Sequence, residues 1–505
     1  MDIATKTAFA YLAPRRFAIS RYPADAEHFQ RKRLSSLIRR AAQTEWGRMH
    51  DFNDIRSYEE FAAKVPVCSY DDLKGYIERM RMGEKDVLWR GQIKYFAKSS
   101  GTTSDRSKFI PVSKEGLRRL HMMGGHDATA IYLSSHPESK VGTGNSIILS
   151  GSLDPDCATP ASEAGDVSAI MTESIPEVLR DLMHISPPLK IARIRDFEQK
   201  REALARWCAD KDITSISGVP SWMLSVLTRV LELTGKSNLS EVWPNLELFV
   251  HGGVGFAPYR EIYKQLIPSE KMHYIETYNA SEGFFGIQDD PSDPALLLMV
   301  DYDIFYEFIP TDPAYGKDPV PVWKVEPGVN YAMCITTSCG LWRYLIGDTV
   351  RFTQKNPYKF ILTGRTKQFI NAFGEEVIVD NAEKAISAAC KACGAEVREY
   401  TAAPVYMDSK GQCRHQWLIE FEKEPASLSD FEAAIDKALR SVNSDYDAKR
   451  YKDITLQHLE VIPARKGLFD DWLQSKGKLG GQHKVPRLNN TREYIEELLA
   501  LNAQA

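Results

Sequence analysis

No stretch of the 505-residue sequence approaches the roughly 18 consecutive apolar residues that a membrane span needs. The start of the chain shows no apolar core followed by a small-residue cleavage site. Cysteine is scarce: eight residues, scattered too widely for a disulfide framework. A cytoplasmic, reduced protein with no membrane partner is therefore expected. Charge of one sign is not in excess either. The 64 Lys and Arg interleave with 68 Asp and Glu for a net charge of −4, so there is no basic footprint for nucleic acid. Internal repeats and low-complexity tracts are absent, as is the Gly-x4-Gly-Lys-Ser/Thr signature of P-loop NTPases. Cys390 and Cys393 have ligand-like spacing, but no second pair exists to complete a zinc site. They close an amphipathic pattern of Ala382, Ile386 and Ala389, which predicts packing thiols.

What is present is an ordinary globular composition, 43% hydrophobic and 26% charged, on a chain long enough for two or three domains. Apolar stripes predict helices through residues 1–60, over Tyr70–Met82 and over Lys114–Leu133. His121 and His126 share the last of these at a spacing of five, on different faces, which argues against a metal pair. Val141–Ser150 reads as a strand, and the polar stretch to Ser168 as mobile. Helices are expected from Ile175 to Leu233. Two strand–loop units then follow, Leu246–Val250 and Met272–Thr277, which predict a largely parallel α/β core. Beyond Ala295 the pattern turns to β as far as Leu362. From Asp380 onward a separate α+β texture begins. The predicted organisation is an α/β N-terminal domain with a β-rich subdomain, residues 1–364, and a small mobile α+β domain, residues 365–505.

The most unusual stretch is Tyr95–Pro111. Two short apolar ends bracket a run from Lys98 to Lys108 made only of Ser, Thr, Gly and charged residues. Such a run cannot bury itself, because its N–H groups and hydroxyls need partners. A phosphate chain would supply them: hydroxyls of Ser99, Ser100, Thr102, Thr103 and Ser104, close backbone approach at Gly101, and the charge of Lys108. A solvated hairpin loop has the same composition. Three further groups carry chemistry. Tyr278-Asn279-Ala280-Ser281-Glu282 joins an aromatic ring suited to a nucleobase with a carboxylate suited to Mg²⁺, although a helix cap would also use Glu282. Asp348, just after Gly347, can accept both hydroxyls of a ribose or simply sit in a turn. Gly480-Gly481-Gln482-His483-Lys484-Val485-Pro486-Arg487 is a Gly-hinged cationic loop. Gly253-x-Gly255 hints at a dinucleotide turn, with Glu276 at the end of the next strand. Pro258 occupies the third glycine's position and would crowd the helix–strand contact.

Taken together, Ser99-Ser100-Gly101-Thr102-Thr103, Tyr278-Asn279-Ala280-Ser281-Glu282 and Tyr344-Leu345-Ile346-Gly347-Asp348 resemble, in order, the motifs of the adenylate-forming superfamily of acyl-CoA synthetases, adenylation domains and luciferases. Lys108 lies eight residues after Ser100, and the chain ends in Gln-His-Lys-Val-Pro-Arg. Both features are similar to the auxin-responsive acyl acid amido synthetase family. The resemblance implies an ATP- and Mg²⁺-dependent ligase that adenylates a carboxylic acid and passes the acyl group to an amine, typically an amino acid. It implies that Ser99 to Thr103 with Lys108 hold the β- and γ-phosphates and that Tyr278 stacks on adenine. Ser281 would lie by the α-phosphate and Glu282 would bind Mg²⁺. Asp348 and Arg365 would hold the ribose, and Lys484 would reach the reacting groups from the small domain. Gly253 and Asn279 complete the nucleotide-binding set. The same resemblance places the acyl pocket along the helix after Lys114 and near Phe284 and Phe285. Some family members carry a Lys near the Gly374-Glu375-Glu376 turn, where this chain has only carboxylates. A monomer is expected. An acyl-CoA ligase with a thiol acceptor, or a nucleotide-binding protein without turnover, shares the same motifs.

Overall fold

The computed structural model describes residues 3–99, 108–176, 180, 185–253, 256, 259–365, 369–406, 413–450, 456–476 and 485–503. The chain forms two compact units, the first ending at Thr366 and the second built mainly from Lys367–Ala505.

The first unit opens with helices, as the apolar stripes predict. Tyr22–Ala41 buries Ala26, Leu34, Leu37 and Ile38 along one face, so its Arg and Lys residues stay on the other. Tyr70–Arg81 begins at a capping box in which the Ser69 N–H donates to the Asp72 carboxylate at 2.7 Å, and it buries Leu73, Ile77 and Met80. A hairpin follows, β1 (Tyr95–Ser99) and β2 (Lys108–Val112), then a helical run from Lys114 to Ser135. The strands β3 (Asn145–Ile148), β4 (Glu163–Gly165), β5 (Ile185–Ser186), β6 (Ile213–Gly218), β7 (Leu248–Gly252) and β8 (His273–Ala280) come next. The antiparallel series is β9 (Gly283–Ile287), β10 (Leu296–Leu298), β11 (Ile304–Pro310), β12 (Val320–Pro321), β13 (Asn330–Thr337), β14 (Tyr344–Lys355) and β15 (Tyr358–Arg365).

Among the described residues, twelve of these strands form one sheet in the order β12-β11-β13-β14-β15-β10-β9-β8-β7-β6-β3-β5. Its β5-β3-β6-β7-β8 half is parallel. The rest is antiparallel, and the change comes at the β8–β9 turn. Two expectations are corrected here. β6 lies inside the stretch predicted as helical, where β-branched Ile213, Thr214 and Ile216 buried on both sides favour a central strand. The polar stretch after Ser150, read as mobile, contains β4, which pairs parallel with β1 and is thereby held. The β-rich part beyond Ala295 continues the parallel sheet through β9, so it shares one core with it.

In the second unit, β16 (Phe369–Ile370) and β17 (Val377–Ile378) pair as a small ladder. β18 (Glu396–Val405), β19 (Arg414–Lys423) and β20 (Glu460–Ala464) form a second sheet. The helices Val379–Cys393 and Leu428–Val442 pack on each other beside it. Gly394, at φ +65°, ends the first of these helices in the left-handed conformation that glycine adopts without strain. All eight cysteines are free thiols.

Candidate active site

Open parallel sheets bind ligands outside the carboxyl ends of their strands. The carboxyl ends of β6, β7 and β8 are in register, with Gly218 opposite His251 and Gly252 opposite Thr277. On this edge β8 carries Tyr278 and Asn279 and turns through Ser281 and Glu282 into β9.

The Tyr278 hydroxyl donates to Asp348 Oδ2 in a short hydrogen bond. The two residues come from separate motifs, and both are buried. A bulge explains how Asp348 gets there. Thr349 pairs with Ala332 and Leu345 pairs with Cys334, so residues 346–348 stand opposite a single residue of β13. Gly347 takes φ +96° inside this bulge, a conformation that strains other residues. Asp348 also stands directly across the ladder from Arg365. The Tyr278 ring packs against Phe285 at 4.9 Å and Phe360 at 6.2 Å between centroids. The residues before Asp348 do structural work instead. Arg343, at φ +42°, bonds Glu307 and the carbonyls of Ala62 and Val65, while Trp342 Nε1 donates to Leu88 O at 2.9 Å.

Ser99 and Lys108 face each other as the last pair of the β1–β2 hairpin. Lys108 is buried, with its ammonium 5.6 Å from the Tyr70 ring centre. The Tyr70 hydroxyl accepts the Phe109 N–H at 2.9 Å and so fixes where β2 begins. Nothing in the sequence singles out Tyr70 beyond its place as the first residue of a helix. Ser100, Gly101, Thr102 and Thr103 lie outside the described residues. Gly253 follows β7 at φ +83°, and neighbouring Gly252 leaves no room for a Cβ, which would lie 2.4 Å from Thr277 O. Glu282 is buried and Ser281 half-buried.

The family follows from the whole length of the chain. The GH3 family N-terminal domain matches residues 18–272, its central domain residues 297–365, and its C-terminal domain residues 380–493. The chain belongs to the GH3 family. It is 26% identical to the probable indole-3-acetic acid-amido synthetase GH3.1 of Arabidopsis thaliana, over 94% of this chain and 91% of that protein. In fold it is similar to the AtGH3.15 acyl acid amido synthetase in complex with 2,4-DB, at 19% identity and TM-score 0.60, covering 96% of this chain and 95% of the other. It is also similar to a 2-hydroxyisobutyryl-CoA ligase bound to 2-HIB-AMP and CoA, at 14% identity and TM-score 0.55, covering 98% and 93%.

Within this GH3 chain the Gly374-Glu375-Glu376 turn is committed to structure at its centre. Glu375 is fully buried, accepts the N–H groups of Ala372 and Phe373, and bonds His415 Nε2 at 2.8 Å. The side chain of Lys449 lies against Gly374, where a Cβ would come within 3.2 Å of its Cε. Lys484 lies outside the described residues, and for Arg365 the backbone position alone is described.

Proposed function

We propose that this GH3 protein is an ATP-dependent acyl acid amido synthetase. The observation that carries this reading is the Tyr278–Asp348 bond, which joins two distant motifs at the carboxyl end of the parallel strands. The naming of a full-length relative as an amido synthetase supports the same reaction class.

Carboxylates are poor electrophiles, so the first task is to align two anions and offset their repulsion. A carboxylate oxygen of the acid attacks the α-phosphorus of ATP. The bond to the β-phosphate oxygen breaks, and pyrophosphate leaves. The amine of an amino acid then attacks the acyl carbon, AMP departs with the carbon–oxygen bond pair, and the amine loses its proton. Tyr278 packs on the adenine, Asp348 accepts the ribose hydroxyls with Arg365 beside it, and Lys108 with the Ser99–Thr103 loop holds the β- and γ-phosphates. Gly253 keeps the neighbouring loop close to the nucleotide, and Ser281 lies by the α-phosphate. A Mg²⁺ ion arriving with the triphosphate supplies charge neutralisation. Glu282, a buried carboxylate on the β8–β9 turn, fits it, since Mg²⁺ needs one or two protein oxygens and fills the rest with phosphate and water. The C-terminal domain, residues 365–505, brings Lys484 to the first step and withdraws it for the second.

Pyrophosphate exchange with a panel of carboxylic acids tests adenylation. AMP release in the presence of amino acids, or of a thiol such as coenzyme A, identifies the acceptor. Amino-acid dependence is expected, and thiol dependence would reassign the enzyme as an acyl-CoA ligase.

A further inference from the structure

Behind the β8–β9 turn lies a polar pair that the steps above leave unused. His121 is fully buried, and among the described residues neither of its ring nitrogens has an aligned hydrogen-bond partner. Asn279, the residue after Tyr278, keeps a buried Oδ1 that is also without a partner. The two side chains lie near enough to interact, but without an aligned hydrogen bond between them. Burial drives the imidazole pKa down to about 4, against which Asn279 is the group that supports the charged form. The ring is therefore neutral near pH 7, with one N–H to donate and one lone pair to accept. A buried polar atom left unpaired loses its hydration without compensation, which makes a purely space-filling role for the pair expensive.

The backbone adds a second sign. His121 closes a π-helical turn, Leu117–His121, within an otherwise α-helical run. Such turns are rare and cluster at functional sites. This helical run is also packed closely on the start of β9. A Cβ on Gly124 would lie 2.1 Å from the Phe284 ring, and one on Gly283 would lie 3.1 Å from Leu120. His121 thus lies close to the end of β8, which carries Asn279, and to the turn bearing Ser281 and Glu282.

We propose that His121 is a positioning residue for adenylation, donating to Asn279 Oδ1 once substrates bind and so turning the Asn279 amide N–H toward the α-phosphate. Hydrogen bonds at such sites are often misaligned without substrate and tighten only in the complex. This inference rests on the adenylation reading above, and its test separates the two.

The experiment measures pyrophosphate exchange for His121→Leu, His121→Gln, Asn279→Ala and the double variant His121→Leu/Asn279→Ala. Nitrogen-15 histidine NMR with a non-hydrolysable ATP analogue follows the ring itself. His121→Leu and Asn279→Ala should each slow exchange about 10–100-fold, the scale of losing one aligned donor, with the KM for ATP little changed in His121→Leu. The double variant should be no slower than either single, and His121→Gln, which keeps a donor, should recover most of the rate. In the wild type one His121 nitrogen should move to a hydrogen-bonded shift on adding the analogue, and in Asn279→Ala it should not. Additive losses, an unaltered rate in Asn279→Ala, or a His121 signal indifferent to Asn279 would overturn the proposal. A wild-type protein that exchanges nothing while its His121 signal responds as described would retain the pairing and remove the adenylation reading.

Discussion

The hydroxyl of Tyr278 bonds the carboxylate of Asp348, closing a sequence gap of 70 residues at the edge where the sheet changes from parallel to antiparallel. One motif therefore fixes the orientation of the other. Asp348→Ala should weaken ATP affinity about 10–100-fold, from the loss of charge-assisted bonds worth about 1.5–3 kcal/mol each, partly replaced by water. Tyr278→Phe keeps the ring and should cost less than about tenfold. Titration calorimetry with ATP measures both, and equal effects from the two variants would count against separate ribose and adenine roles.

In the proposed function Glu282 holds the metal. Glu282→Gln removes the charge and keeps the shape. The Mg²⁺ concentration giving half-maximal exchange should rise about 10–100-fold, with ATP binding in the absence of metal little changed. A variant with wild-type magnesium dependence would place Glu282 outside the metal site.

The candidate motifs stand out in the sequence because their chemistry is local. A Ser/Thr/Gly run, a carboxylate after an aromatic, and a Gly-Asp pair each announce themselves over a few residues. The Tyr278 hydroxyl's partner was not legible, because it depends on a bulge between β13 and β14 and on the pairing of β14 with β15. β6 was missed for a related reason: a short apolar run buried on both faces has no alternation to distinguish it from a helix. The spacing of His121 and His126 speaks only against a metal pair, since neither burial nor a π-helical turn is written in residue spacing. The sequence shows only carboxylates at the Gly374-Glu375-Glu376 turn, and the bonds of Glu375 to Ala372, Phe373 and His415 show a buried carboxylate holding its own turn.

The burial of His121 has a consequence for stability. Its folded pKa, about 4, lies below the ordinary value of 6.5, so the unfolded chain binds more protons between those limits. Stability from this residue is present above about pH 6.5 and is lost as the pH falls toward 4, by up to about 3 kcal/mol. Thermal melts from pH 4 to 7 should show a shallower slope for His121→Gln than for the wild type. Parallel slopes would show that His121 is not buried as a neutral ring.

Arg15 is an anchor of the helix Ile3–Ser20. Arg15 bonds Asp127 at 2.7 and 2.9 Å and Asp301 at 2.6 and 2.9 Å, and the same carboxylates accept the hydroxyls of Tyr302 and Tyr22. Arg15→Met leaves two buried carboxylates without their cation and should cost about 3 kcal/mol. Hydrogen exchange should quicken across residues 3–20 and leave the C-terminal unit unaffected. Unchanged protection would mean that apolar packing alone holds the helix.

Acid-dependent exchange of labelled pyrophosphate into ATP tests the central claim most directly. The wild type should exchange with at least one carboxylic acid and not without one, and Lys484→Ala should abolish exchange while still binding ATP. A protein that binds ATP but exchanges with no acid, or exchanges equally well as Lys484→Ala, would contradict the account.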